Sequence, residues 1–456
     1  MTTQHARAGR ARILALALAF ALAAALLPAS ALADVRKADV VLGQTVDARG
    51  LSIAQCPSID AEYALVMDSN GTVYFERNAT SPTQIASITK IMTAIVALDA
   101  IERGEASLDT TVTVSERAAT VGESLAGLIA GDTMPLGTAL LALMVPSGND
   151  AAISISETLA ESEEAFVDLM NQKAAELGCV DTVFANAHGL DAGEFAGDQH
   201  SCAADVAKIA QYAMKNETFR NAVGGGDTTI QVTRSGAKAD IFLESTDAFM
   251  DIYEYAIGVK TGYTELAGNS FAGAANKDGL ELYAIVIHSS SEAQRFEDAK
   301  TLCEWVYEHE LSYRLANSSQ TTTMDAGGQA AEVPVVAEVA HAGWIDKTVK
   351  ATFSDPGASV DIFDLNGNVS QSLEFDELTG DVKAGDKVGT ATFKQRNTVI
   401  ATMDLVACED LAAPDFFEGI GIWWDRLFRG FSGQQQTAQS TIVNETPLVV
   451  DKTAAA

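Results

Sequence analysis

Between residues 88 and 104 apolar side chains return every three or four positions, at Ile88, Ile91, Met92, Ile95 and Val96, a spacing that predicts an amphipathic helix closing near Gly104. Helical patterns dominate to about Met214, and two of them, over 136–145 and 150–159, are broken at Pro146-Ser147-Gly148-Asn149. Upstream, apolar runs over 63–68 and 72–76 flank Ser69-Asn70-Gly71, the signature of a hairpin. Strand patterns return after about Ile230, over 256–264, 270–275 and 280–288, and a last helix is predicted over 292–308. Strands at both ends with helices between them predict an α+β fold, one antiparallel sheet whose first hairpin pairs with the late strands.

Beyond this block, residues 317–328, NSSQTTTMDAGG, are polar and without apolar periodicity, so 317–331 is read as a linker. Short alternating segments over 333–339, 348–353 and 388–393 then predict a small all-β domain over 332–410. In the stretch FFEGIGIWWDRLFRGF, Phe416, Phe417, Ile420, Trp423, Trp424, Leu427, Phe428 and Phe431 fall within an arc of about 140° on a helical wheel. Glu418, Asp425, Arg426 and Arg429 lie opposite, so 414–432 is expected to lie flat on a membrane surface rather than span it. The polar remainder, 433–456, is expected to be disordered.

Length and composition fit this layout, since 456 residues suffice for two or three domains. At the other end, Arg7, Arg10 and Arg12 precede an apolar run that stops at Ala31-Leu32-Ala33, which reads as a secretory signal peptide over 1–33. Its loss removes three arginines and no acids, taking the formal charge from -32 to -35, and so acidic a chain excludes nucleic acid as a partner. The five cysteines show no CxxC spacing, and one bridge, Cys179 to Cys202, stays open. The six histidines show no paired-ligand spacing, so neither a metal nor another cofactor is expected.

Chemistry enters with three short motifs. Ser87 and Lys90 stand one turn apart, Ser147 and Asn149 occupy the break between two helices, and Lys260-Thr261-Gly262 lies in a predicted strand. A second SxxK, Ser235 to Lys238, contains a glycine and no apolar stripe, and is set aside as chance. Residues three apart on a helix bring their Cβ atoms within about 5–6 Å, so Lys90 can take the proton of the Ser87 hydroxyl once its amine is neutral. An ordinary lysine has a pKa near 10.4, and neutrality at pH 7 requires a depression of about 4 kcal/mol. Burial and the second cation, Lys260, both act in that direction. Ser147 can relay a proton, Asn149 can hold a substrate amide, and Lys260 with Thr261 can bind a carboxylate. Gly262 lets a peptide approach the strand closely. Backbone N–H groups of Ser87 and Tyr263 are candidates for an oxyanion hole.

The order SxxK, SxN, KTG is that of penicillin-binding proteins and serine β-lactamases. The chain resembles the serine-type D-alanyl-D-alanine carboxypeptidases, the low-molecular-mass class C penicillin-binding proteins. Beyond the motifs the likeness rests on Gly131-Asp132, Asn149-Asp150-Ala151-Ala152, His188-Gly189-Leu190-Asp191, His200-Ser201, Gly258 to Thr264 with Ala267-Gly268, and Asp386-Lys387-Val388-Gly389. The resemblance implies a β-lactamase/transpeptidase-like domain over 34–316, peptidoglycan stem peptides as substrate, β-lactams as covalent inhibitors of Ser87, and a place at the outer face of the cytoplasmic membrane. Glu123 departs from the small residue that relatives carry. Three alternatives remain: a D,D-endopeptidase, a class A-like β-lactamase, for which the ExxLN element is missing, and a catalytically silent wall-binding scaffold.

Overall fold

The structure is a computed structural model that describes residues 37–325 and 330–449. The expected signal peptide over 1–33 lies outside the described residues. The chain divides into two units between Tyr307 and Glu308.

The first unit is built on a seven-stranded sheet of β1 (Val40–Val41), β2 (Gln44–Thr45), β3 (Tyr63–Asp68), β4 (Val73–Arg77), β9 (Ala256–Thr264), β10 (Gly268–Lys277) and β11 (Leu280–Ser289). Their order is β2-β1-β4-β3-β11-β10-β9. The pairing of the first hairpin with the late strands is as expected: β3 runs antiparallel to β11 with Ala64 opposite Val286. Strand β11 is an unbroken apolar run because both of its faces are covered. Tyr283, Ile285 and Ile287 join the helical core, and the alternate residues Leu282, Ala284 and Val286 are equally buried. On the second face lies helix α7 (Glu292–His309), whose Phe296 and Trp305 rings meet Phe271 and Phe75 edge-on.

Helix α1 (Lys90–Glu102) runs through the core, with α2 (Leu136–Met144), α3 (Asn149–Ala160), α4 (Glu163–Glu176) and α5 (Ala203–Ala213) against it. It differs from the amphipathic helix its spacing predicts: every side chain from Lys90 to Leu98 is buried. The polar positions within it, Lys90 and Thr93, are therefore internal groups. Four further strands, β5 (Thr111–Thr113), β6 (Thr133–Pro135), β7 (Thr228–Arg234) and β8 (Ala237–Leu243), form a second sheet. The discarded SxxK match falls on its β7–β8 turn, where Ser235 and Gly236 both have left-handed backbone.

The second unit carries a six-stranded antiparallel sheet of β15 (Ala337–Ala340), β16 (Thr348–Phe353), β18 (Val369–Phe375), β19 (Lys387–Gln395), β20 (Thr398–Ala407) and β21 (Thr441–Ile442), around Phe353 and Phe393. Two expectations are corrected here. The stretch read as a linker contains β13 (Thr321–Asp325), which pairs with β14 (Ala330–Pro334), Thr321 opposite Pro334. Its β-branched threonines favour an extended ladder despite their polarity. The stretch read as disordered tail supplies β21 beside β15, and Asn444 is buried just beyond it. Asn444 donates to Leu315 O and Gln371 Oε1 and accepts from Asn317 N, at 2.7–2.9 Å. Between β20 and this return runs α8 (Phe416–Ser432), opened by a capping box of Asp415 and Glu418 and closed by left-handed Gly433. Among the described residues no helix is long and apolar enough to cross a membrane.

Candidate active site

Ser87 lies in a 3-10 turn, Ala86–Thr89, immediately before α1. The turn is held in a strained form: Ala86 has a φ of 47°, a region non-glycine residues avoid. Two glycines clamp it. A Cβ on Gly189 would lie 2.0 Å from Ala86 O, and one on Gly262 would lie 2.7 Å from Ile85 O and 3.3 Å from Ile88 N. This adds a second reason for Gly262. Strand β9 needs a glycine there to pack against the turn that presents Ser87, a constraint inside the protein in addition to any approach of a substrate.

Lys90 is wholly buried, and its Nζ donates to Ser87 Oγ and to His188 O, each at 2.8 Å. Burial first, and the charge of Lys260 second, hold its pKa well below the lysine range, while Asp150 opposes the shift. The expected second cation is thus in place, but desolvation is the larger cause. The carbonyl that receives Lys90 is itself anchored. Ala187 N donates to Glu163 Oε1 at 2.8 Å, and His188 Nδ1 accepts from Leu190 N at 3.1 Å. Burial lowers the His188 pKa to about 3, so the ring is neutral and structural.

Ser147 sits in the helix break with left-handed backbone, φ 63°. Gly148 follows because a Cβ there would meet both Ala142 O and Asp150 Oδ1 at 2.6 Å. Asn149 opens α3, donating from Nδ2 to Gly122 O at 3.0 Å and from its backbone to Ser124 O at 2.8 Å. Asp150 accepts from Ala126 N and Leu128 N, at 2.9 and 3.1 Å, which fixes the same loop. Glu123, the departing residue, has left-handed backbone and an exposed side chain within it. Two buried atoms in this region have no hydrogen-bond partner: Ser147 Oγ and Asn149 Oδ1. Buried polar groups are rarely left so.

Strand β9 is the edge of its sheet and carries Lys260, Thr261, Gly262 and Tyr263. Lys260 is buried, and its Nζ donates to Thr261 O at 3.1 Å and Thr261 Oγ1 at 3.4 Å. Its pKa falls to about 7, through burial and then Arg295, with Asp247 opposing. Thr261 Oγ1 shares a 2.8 Å hydrogen bond with Thr246 Oγ1, and Thr246 N donates to Val145 O. That bridge ties the strand to the helix break. Arg295 on α7 donates to Gly262 O at 3.4 Å from the other direction. The Tyr263 side chain is exposed. A groove of about 830 Å3 opens alongside, lined by Pro146 and Thr246 with Leu125, Phe242, Ile252 and Phe296.

The three motifs, spread over 174 positions from Ser87 to Lys260, therefore converge. Arg295, Asp247 and Thr246 belong to the same cluster and were not singled out from the sequence. Arg295 and Lys300 are the two cations of the predicted helix 292–308, and the burial of Arg295, at 3% exposure, distinguishes it from the half-buried Lys300. Cys179 and Cys202 are buried free thiols, Cys179 Sγ donating to Asp205 O. Asp205, which with Asp181 and Cys202 could offer ligand atoms to an ion, has its oxygens taken by Asp181 N, Thr182 Oγ1 and Lys208 Nζ.

A family model for D-alanyl-D-alanine carboxypeptidase matches residues 51–291. The chain belongs to that family. It is 28% identical over 357 residues to the D-alanyl-D-alanine carboxypeptidase DacF of Bacillus subtilis, covering 77% of this chain and 86% of the relative. It is also 28% identical over 389 residues to DacC of Escherichia coli, covering 83% and 90%. Among solved structures, a DD-transpeptidase of Streptomyces is 30% identical, with TM-score 0.52 over 55% of this chain and 98% of its own. The carboxypeptidase DacD of Francisella tularensis shares the fold at TM-score 0.53 and 24% identity, over 78% of this chain and 96% of its own. The matched interval holds Ser87, Lys90, Ser147, Asn149 and Lys260 and ends four residues before Arg295.

Proposed function

We propose that this chain is a serine D,D-carboxypeptidase that removes the terminal D-alanine of peptidoglycan stem pentapeptides through an acyl-enzyme on Ser87. The observation that carries the proposal is the Lys90 amine, its pKa held well below the lysine range by burial, 2.8 Å from Ser87 Oγ. Neutral Lys90 takes the Ser87 proton as Oγ bonds to the carbonyl carbon of the penultimate D-alanine. Backbone N–H groups of Ser87 and Tyr263 meet the developing oxyanion. The proton passes through Ser147 to the nitrogen of the departing D-alanine, and the C–N bond breaks. Water then attacks the ester, Lys90 accepts its proton, and Ser87 recovers a hydrogen as the shortened peptide leaves. Asn149 Oδ1 accepts a substrate N–H, which satisfies a buried atom that otherwise has no partner. Lys260 and Thr261 hold the terminal carboxylate, Gly262 keeps β9 close to the nucleophile, and the free edge of β9 offers the peptide a strand to pair with. Penicillins acylate the same hydroxyl.

The test is direct. Incubated with a fluorescent penicillin and, separately, a stem pentapeptide, the protein is labelled and releases D-alanine, and Ser87→Ala does neither. Rapid penicillin turnover without D-alanine would mean a β-lactamase, and neither reaction would mean a scaffold.

We further propose export to the outer face of the cytoplasmic membrane, with α8 as a peripheral anchor. Phe416, Phe417, Phe428 and Phe431 are 64–83% exposed, and the adjacent Trp423 and Trp424 about half exposed, a dense apolar face for a water-facing helix. Its partner is the lipid interface. With a net charge this negative, insertion of apolar side chains rather than attraction to anionic lipid supplies the binding.

A further inference from the structure

We propose that Glu163 is a positioning residue for catalysis: through the main chain at Ala187 and His188 it holds the carbonyl that orients the Lys90 amine toward Ser87. The inference rests on the carboxypeptidase reading above.

The contacts form a continuous chain. Lys90 Nζ donates to His188 O at 2.8 Å. One residue earlier, Ala187 is gripped on both sides: its N–H donates to Glu163 Oε1 at 2.8 Å, and its carbonyl accepts from Thr93 Oγ1 at 2.6 Å. Ala187, His188, Glu163 and Thr93 are all buried, so bulk water does not replace an acceptor lost there. The residues that follow touch the rest of the site. Gly189 packs on Ala86 beside the nucleophile, and Asp191 Oδ2 accepts from Thr264 Oγ1 at 2.6 Å, next to Tyr263 on β9.

Glu163 meets this segment as the first residue of α4, with only 4% of its surface exposed. Its second oxygen, Oε2, accepts from Arg117 of the short helix Glu116–Ala119. His188 Nε2 stands 3.5 Å from Glu163 Oε1, and because Nδ1 of the neutral ring accepts from Leu190 N, Nε2 carries the ring proton. One carboxylate thus serves two donors and faces a third.

The chemistry gives that grip a purpose. A neutral lysine amine has two N–H groups and one lone pair, and only the lone pair can accept the Ser87 proton. With one N–H committed to His188 O, the amine can turn its lone pair to Ser87 Oγ; released from that carbonyl, it turns freely. If Ala187 N loses its acceptor, the 187–188 peptide shifts and the amine loses alignment, while Lys260 and Thr261 are untouched. The effect therefore falls on the acylation step and not on capture of the ligand.

An isosteric change separates this role from bulk stability. The amide of Glu163→Gln has one acceptor oxygen and one NH2 group, so whichever of Ala187 N and Arg117 the oxygen serves, the NH2 group confronts the other donor. Removing the arginine lifts that conflict and lets the oxygen turn to Ala187 N.

The experiment compares wild type, Glu163→Gln, the double variant Arg117→Met/Glu163→Gln, and Glu164→Gln, whose side chain is exposed. It follows acylation by a fluorescent penicillin over a range of concentrations, which separates the limiting rate from the half-saturating concentration, with kcat and KM for a stem pentapeptide and a thermal melt beside it. Glu163→Gln is expected to lower the limiting acylation rate and kcat by about tenfold, with the half-saturating concentration and KM within about twofold of wild type. The double variant recovers most of that loss, and Glu164→Gln matches wild type. Unchanged rates in Glu163→Gln, a loss carried by KM, or a double variant as slow as the single one overturns the proposal. Should Glu163→Gln fail to fold, Glu163→Asp, whose carboxylate stops one carbon short of Ala187 N, carries the same comparison of kcat against KM. A wild type that is neither labelled nor able to release D-alanine overturns the carboxypeptidase reading and this inference with it, whereas an active wild type beside an unaffected Glu163→Gln overturns this inference alone.

Discussion

Gly262→Ala isolates the contact that positions the nucleophile. The added methyl would stand 2.7 Å from Ile85 O, 3.2 Å from Ile88 Cγ1 and 3.3 Å from Ile88 N, and the first and third of these are backbone atoms. Strand β9 cannot yield easily, because it is paired with β10 from Ala256 to Thr264, Gly262 opposite Ser270. The turn must move instead. Restoring an ordinary contact of about 3.4 Å displaces Ile85, and with it Ser87, by about 0.7 Å. Overpacking of this kind costs about 1–3 kcal/mol in stability, so the melting temperature should fall by a few degrees. Catalysis should suffer more, since a misplacement approaching 1 Å costs up to about 100-fold in rate. The assay is the acylation rate with a fluorescent penicillin, set beside a thermal melt. A variant that acylates within threefold of wild type while losing stability would refute the idea that this contact, rather than α1 itself, places Ser87.

Three more outcomes are expected. Lys90→Arg retains bulk and charge but cannot become neutral, so acylation should drop by about 100- to 10,000-fold with little change in far-UV circular dichroism. Lys260→Met removes a buried cation whose folded-state pKa is depressed to about 7. Between there and the unfolded value near 10.5 the unfolded chain binds the extra proton, so wild-type stability rises with pH across that window. The variant should therefore be more stable at pH 7 by about 1–4 kcal/mol, with the gap closing toward pH 10 in thermal melts, while carboxylate-dependent acylation is lost. Replacing both Trp423 and Trp424 by alanine should weaken binding to lipid vesicles by roughly 100-fold, given that each ring is about half exposed. Wild-type binding should persist in 1 M salt and on zwitterionic lipid, because apolar insertion carries it.

The sequence was most informative where chemistry demands a fixed spacing. Ser87 with Lys90, Ser147 with Asn149, and Lys260 with Thr261 each sit a few residues apart, so a local pattern shows the pair even though folding must join the pairs. The strand order was legible for a similar reason: both faces of β11 are buried, and a run such as Leu282 to Ile287 has few other homes. What the sequence concealed depends on burial. The spacing of α1 suggests one wet face, yet Lys90 and Thr93 are internal because helices and strands close over them from every direction. Asp247 and Arg295 look like ordinary surface charges until β9 and α7 enclose them. The packing role of Gly262 is hidden in the sequence because its neighbour, Ile85, is 177 positions away in the chain. The polar stretches at β13 and β21 look unstructured by composition, but their β-branched residues favour the extended strands they form.

The path of the chain after α8 has a consequence for release. A helix at a free end could be shed by one proteolytic cut on its inner side. Here the polypeptide goes on past Gly433 and is stitched back into the sheet through Thr441, Ile442 and the Asn444 side chain. A single nick between 434 and 440 leaves α8 attached through Asp415, and a nick ahead of Asp415 leaves it held by the returning strand. Only two cuts, one on each side, free the enzyme from its helix.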